Sequence, residues 1–106
     1  MTETEFYKIY DSAINRITNV VKCKHEEYGE DSDYFYNFNR GAEILGVPTA
    51  EVLAAYMTKH TVSVYDIIKE FSIGGKVSIP QVEEKITDMI VYLLLFEAMV
   101  REKLGT

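Results

Sequence analysis

The sequence predicts an all-α fold, a helical bundle of three long helices and one short helix. Apolar residues recur at i, i+3 and i+4 along three stretches, the signature of amphipathic helices. No period-2 alternation runs beyond a few residues, apart from short pieces near Val77. Helix-stopping residues fall between the stretches, at Gly29, at Gly46 with Pro48, and at Gly105. A chain of 106 residues holds one core, so residues 1–106 are expected to form a single domain.

The first helix is expected from Thr2 to about Glu27, with Phe6, Ile9, Tyr10, Ala13, Ile14, Ile17, Val20 and Val21 on one stripe. Thr2 followed by Glu5 has the form of a capping box, in which each residue satisfies the other's backbone N–H. A polar and aromatic connector, Tyr28 to Phe38, leads into a short helix from about Phe35 to Leu45. Thr49 is the expected N-cap of the third helix, which runs to about Phe71 through Val52, Leu53, Tyr56, Met57, His60, Val64, Ile67 and Ile68. The segment Ser72 to Lys76 lacks the length and the Lys-Ser/Thr ending of a Walker loop. Ser78 and Pro80 open the fourth helix, which ends near Leu104.

Charge removes several function classes. Eleven basic against seventeen acidic residues give a net charge of -6, which disfavours general nucleic-acid binding through phosphate neutralisation. The lone Cys23 excludes an internal disulfide, and with His25 and His60 it shows no zinc-ligand spacing. The N-terminus has no signal-peptide pattern. The apolar run Met89 to Phe96 falls far short of the roughly twenty residues a membrane span needs. An intracellular, cytoplasmic location without membrane association is therefore expected.

Helical phase singles out a few polar residues. At 100° steps Lys24 and Tyr28 continue the apolar axis of the first helix, with Glu27 at its margin. A lysine there buries its stem and seeks an anion at its head. The fourth helix carries a main stripe of Val82, Ile86, Met89, Leu93, Phe96, Val100 and Leu104. Glu84, Asp88, Tyr92, Leu95 and Met99 form a second face. A helix apolar on two sides is either central in its bundle or shared with another chain. The second face, at Leu95 and Met99, is the expected contact of a homodimer. Glu84 and Asp88, one turn apart, repel each other unless a divalent cation or a lysine intervenes, and hard oxygen ligands suit Mg²⁺ or Mn²⁺. An exposed acidic pair on a first turn, favoured by the helix dipole, explains them as well. His60 lies near the centre of its stripe, where a histidine is more often a core residue than a catalyst.

Three segments together resemble the small phage-type MazG-like proteins related to the all-α nucleoside triphosphate pyrophosphohydrolases. They are KHEEYGEDSDYFYNF from Lys24 to Phe38, Met57-Thr58-Lys59-His60, and Glu84 to Asp88 followed by Tyr92. The resemblance implies an all-α MazG-like domain in which acidic residues of two helices hold Mg²⁺ for cleavage between the α- and β-phosphates of a nucleotide. It assigns Glu27, Glu84 and Asp88 to the metal and catalysis, and Lys24, Tyr28, Asn37 and Lys59 to the nucleotide. Two departures bear on the chemistry. The family's later acidic pair is spaced i, i+3, whereas Glu84 and Asp88 are i, i+4, with Lys85 at the alternative position. Gly29 also separates Glu26 and Glu27 from Glu30.

Two functions are consistent with these residues. One is a Mg²⁺-dependent nucleoside triphosphate pyrophosphohydrolase, or a nucleotide binder derived from one. In it, Tyr34, Phe35 and Tyr36 stack on the base. The other is a non-catalytic acidic phage protein that inhibits a host or defence nucleic-acid-binding protein, offering Glu26, Glu27, Glu30, Asp31 and Asp33 to a basic surface.

Overall fold

The structure is a computed structural model that describes residues 1–28 and 33–106, apart from the side chains of residues 24–28. Its regular elements are α1 (Glu3–Tyr28), α2 (Tyr36–Leu45), α3 (Thr49–Ser72) and α4 (Ile79–Leu104). No strand occurs among the described residues, so the segment near Val77 is a connector. No helix among them is long and apolar enough to cross a membrane.

Local chemistry explains the boundaries. The capping box at Thr2 forms: the Thr2 N–H donates to Glu5 Oε2 at 2.7 Å, and the Glu5 N–H donates to Thr2 Oγ1 at 3.1 Å. Asp33 Oδ1 accepts from the Phe35 N–H at 2.9 Å, a side-chain turn that launches α2 one residue later than the pattern indicates. Gly46, at φ 68°, takes the left-handed conformation that ends α2. Ser78 Oγ accepts from the Gln81 N–H at 3.3 Å and caps α4, while Gly105, at φ 72°, ends it.

Thr49 is not the cap of α3. Pro48, with the extended backbone its ring favours, precedes the helix and makes no side-chain cap. The Thr49 hydroxyl instead donates to Asn39 Oδ1 at 3.0 Å and ties the start of α3 to α2.

α4 is the centre of the bundle, with α3 packed on one side and α1 on another, while α2 packs against α3. α3 and α4 form an antiparallel hairpin. Its core contains Phe35, Phe38, Val52, Leu53 and Tyr92, with Met57, Leu95 and Met99 packed against them. Phe38 meets Tyr92 edge-on at 6.3 Å and Tyr56 at a tilt at 5.7 Å, arrangements that suit the aromatic quadrupole.

This packing corrects the expected faces of α4. The face holding Tyr92, Leu95 and Met99 is the one that enters the chain's own core, with Tyr92 buried and Leu95 and Met99 partly buried there. The stripe with more apolar residues turns outward, leaving Ile86, Leu93, Phe96 and Val100 exposed. The reason lies in the partners. Tyr92 finds Phe38 and His60 on its face, and the aromatic segment before α2 completes the core there.

Candidate functional site

Arg16 sets the geometry between α1 and α4. Its Nη1 lies 3.2 Å from Glu83 Oε2, its Nε donates to Thr87 Oγ1 at 3.3 Å, and Nη1 also donates to Ser12 Oγ at 3.1 Å. Thr87 is buried. Its hydroxyl donates to the Glu83 carbonyl at 2.6 Å, which leaves its oxygen oriented to accept from Arg16. One guanidinium thus clamps two consecutive turns of α4 to α1.

Beside this clamp is a groove of about 240 Å³, bounded by Arg16, Asn19 and Val20 of α1 and by Glu83, Glu84, Thr87 and Asp88 of α4. A fixed cation, a side-chain amide and three carboxylates belong to the residues around it, although the surface they turn toward it is mostly apolar. Glu83 is engaged by Arg16, whereas Glu84 and Asp88 border the groove without that contact. Asp88 also faces α3, where its Oδ2 lies 3.6 Å from His60 Nδ1. The His60 ring rests against Tyr92 at a centroid distance of 5.0 Å. Only 15% of the His60 side chain and 21% of the Asp88 side chain are exposed, so Asp88 has far less rotameric freedom than a surface carboxylate.

The structure brings together part of the expected residue set. Glu84 and Asp88 border one groove. Lys59 on α3 and Asn37 on α2 are exposed, and neither borders it. Lys24, Glu27 and Tyr28 have side chains outside the described residues, as does most of the acidic segment from Glu26 to Asp33. Phe35 is a core residue at 8% exposure, which removes it from any base-stacking surface, whereas Tyr34 and Tyr36 are exposed. Arg16 and Asn19 were not singled out by sequence. The available signal was an arginine at the edge of the apolar stripe, a position from which it can reach an acidic partner on the neighbouring helix.

Among the described residues no three His, Cys, Asp or Glu side chains are placed to hold a metal ion. Glu84 and Asp88 therefore do not form a metal cage with a third described ligand. Two carboxylates are, however, the usual protein contribution when Mg²⁺ arrives already bound to phosphates.

Comparison with known proteins adds no assignment, since no family model, no curated protein and no solved structure matches the chain.

Proposed function

We propose that the chain binds a nucleoside triphosphate, as its Mg²⁺ complex, in the groove between α1 and α4. The observation that carries this reading is that Glu84 and Asp88 border one groove with Arg16 and Asn19. The resemblance to nucleoside triphosphate pyrophosphohydrolases supplies the ligand class. Mg²⁺ keeps several waters and takes one or two carboxylates beside the phosphates it carries, which matches a pair on successive turns. Asp88, held between α4 and His60, and Glu84, nearer solvent, are the residues for that role. Arg16 is planar and permanently charged, and it would meet a phosphate oxygen by exchanging its contact with Glu83. A chain of net charge -6 needs both the cation of the ligand and this guanidinium to accept a polyanion.

Hydrolysis belongs to the same reading: water added across the bond between the α- and β-phosphates releases a nucleoside monophosphate and pyrophosphate. Self-association as a homodimer belongs to it as well.

Thermal unfolding with Mg²⁺ or Mn²⁺ and a panel of ribo- and deoxynucleoside triphosphates tests binding, and pyrophosphate release tests turnover. A ligand at one hundred times its dissociation constant stabilises the native state by about 2.7 kcal/mol. A metal-dependent shift with at least one nucleotide supports the reading. No shift with any nucleotide and no pyrophosphate release would overturn it in favour of an acidic protein-binding role.

A further inference from the structure

We propose that a second copy of this chain covers the outward face of α4, at Ile86, Leu93, Phe96 and Val100, together with the first three turns of α1. The inference gives the homodimer of the proposed function a surface, and it stands on area and helical phase rather than on the nucleotide.

Area gives the first argument. A folded monomer of 12.2 kDa is expected to expose about 6,100 Å². This chain exposes 7989 Å², an excess of about 1,900 Å² over that scaling. Its radius of gyration is 16.1 Å, where a compact chain of this length has about 13 Å. Stable homodimers bury about 1,000 Å² or more on each partner, so the excess is the size that a second copy would cover.

Phase and position locate the surface. Counting 100° per residue, Ile86, Leu93, Phe96 and Val100 fall within about 80° of one another on α4. Val82, Met89 and Leu104 share that strip, with Glu97 about 20° beyond one edge and Lys85 and Lys103 about 20° beyond the other. On α1, Phe6, Ile9 and Tyr10 are each more than half exposed, and no residue of the first three turns is buried. These residues continue the stripe whose later members, Ala13 and Ile17, are partly buried. α1 and α4 each have 26 residues, so each is about 39 Å long. The chain measures 45 × 28 × 26 Å, so both helices lie roughly along its long axis, and they meet where Arg16 of α1 reaches Glu83 and Thr87 of α4. Each helix therefore leaves an apolar strip exposed in the single chain. The exposed Val62, Tyr65 and Ile68 of α3 differ in that Lys69 falls inside their strip, between Val62 and Tyr65, rather than at its edge.

An isologous contact suits such a surface, since each strip is complementary to its own copy. The groove stays outside it. Asp88 and Glu84 lie about 140° and 180° round α4 from Leu93, so dimerisation leaves them accessible. Nucleotide binding and dimerisation can therefore fail separately.

The test is sedimentation velocity on the full chain from low to high micromolar concentration, with circular dichroism as the fold control. The wild type is expected to be a dimer. Leu93→Glu with Phe96→Glu is expected to give a folded monomer, because both residues are about half exposed in the single chain. Should that variant unfold, Leu93→Ala with Phe96→Ala is expected to raise the dissociation constant by at least about tenfold, two truncated contacts on each side being worth 1.4 kcal/mol or more. Tyr65→Glu on α3 is expected to leave the dimer intact. A monomeric wild type at high micromolar concentration overturns the proposal. So does an unchanged dimer in the Ala variant, or a dimer lost through Tyr65→Glu alone. A nucleotide thermal shift measured on the same variants reports separately on the groove.

Discussion

His60 of α3 and Asp88 of α4 face each other across the helix hairpin, with Nδ1 3.6 Å from Oδ2 and both side chains mostly buried. The distance is longer than a direct hydrogen bond, and little water reaches the pair. Tyr92 backs the imidazole ring at 5.0 Å and limits its rotation. The carboxylate that borders the groove is therefore positioned from the opposite side by a residue of another helix.

Replacing Asp88 by Asn should abolish Mg²⁺-dependent nucleotide binding while leaving the helices intact. The substitution keeps the volume and removes the charge that a cation requires. Lys59→Ala should change binding by less than about twofold, because Lys59 does not border the groove and an exposed lysine contributes well under 1 kcal/mol. Calorimetric titration of both variants decides the matter. Binding retained by Asp88→Asn would remove Asp88 from the site.

Arg16→Ala should destabilise the fold as well as the site. The variant loses an ion pair with Glu83 and a hydrogen bond to Thr87, each partly open to solvent, for a net cost of about 1 kcal/mol. In a domain of this size that lowers Tm by about 4–8 °C. A double-mutant cycle with Glu83→Ala should return a coupling of about 0.5–1 kcal/mol. Coupling indistinguishable from zero would mean that the α1–α4 clamp does not hold in solution.

Leu53→Ala should cost about 2–5 kcal/mol, since Leu53 is 2% exposed in the cluster that joins α2, α3 and α4. Leu93→Ala, at 49% exposure, should cost less than about 1 kcal/mol when measured at concentrations where the chain is monomeric. Urea denaturation of the two variants tests whether the core lies where the structure puts it. A larger effect at Leu93 under dilute conditions would reverse the assignment of inner and outer faces of α4.

Local signals made the helices legible in sequence. Thr2 and Glu5, Ser78 and Pro80, and the left-handed Gly46 and Gly105 act within a few residues, so the boundaries can be read from the chain alone. The orientation of α4 was not legible. Both of its faces are apolar, and the choice depends on Phe35 and Phe38, which come from a segment far away in sequence. The same holds for the groove. Glu84 and Asp88 share a face by their i, i+4 spacing, but Arg16 joins them only because α1 packs at that level of α4, a pairing 71 residues apart for Thr87. Phe35, flanked by exposed Tyr34 and Tyr36, could not be recognised as the buried member of the three from composition.

Thr2→Ala separates local from global stability at the start of α1. The substitution removes the acceptor for the Glu5 N–H and breaks the reciprocal pair at the helix start, at a cost of about 0.5–2 kcal/mol. In a single chain no residue of the first three turns of α1 is buried, so their opening is weakly coupled to the core and the loss should appear as faster amide exchange near Phe6 to Tyr10 with little change in Tm. Once a second copy covers Phe6, Ile9 and Tyr10, opening those turns breaks the interface, and the same substitution should lower Tm at high protein concentration. Hydrogen exchange and thermal unfolding, each measured in dilute and concentrated samples, distinguish the two regimes. A Tm change independent of concentration would show that α1's first turns are not part of the interface between copies.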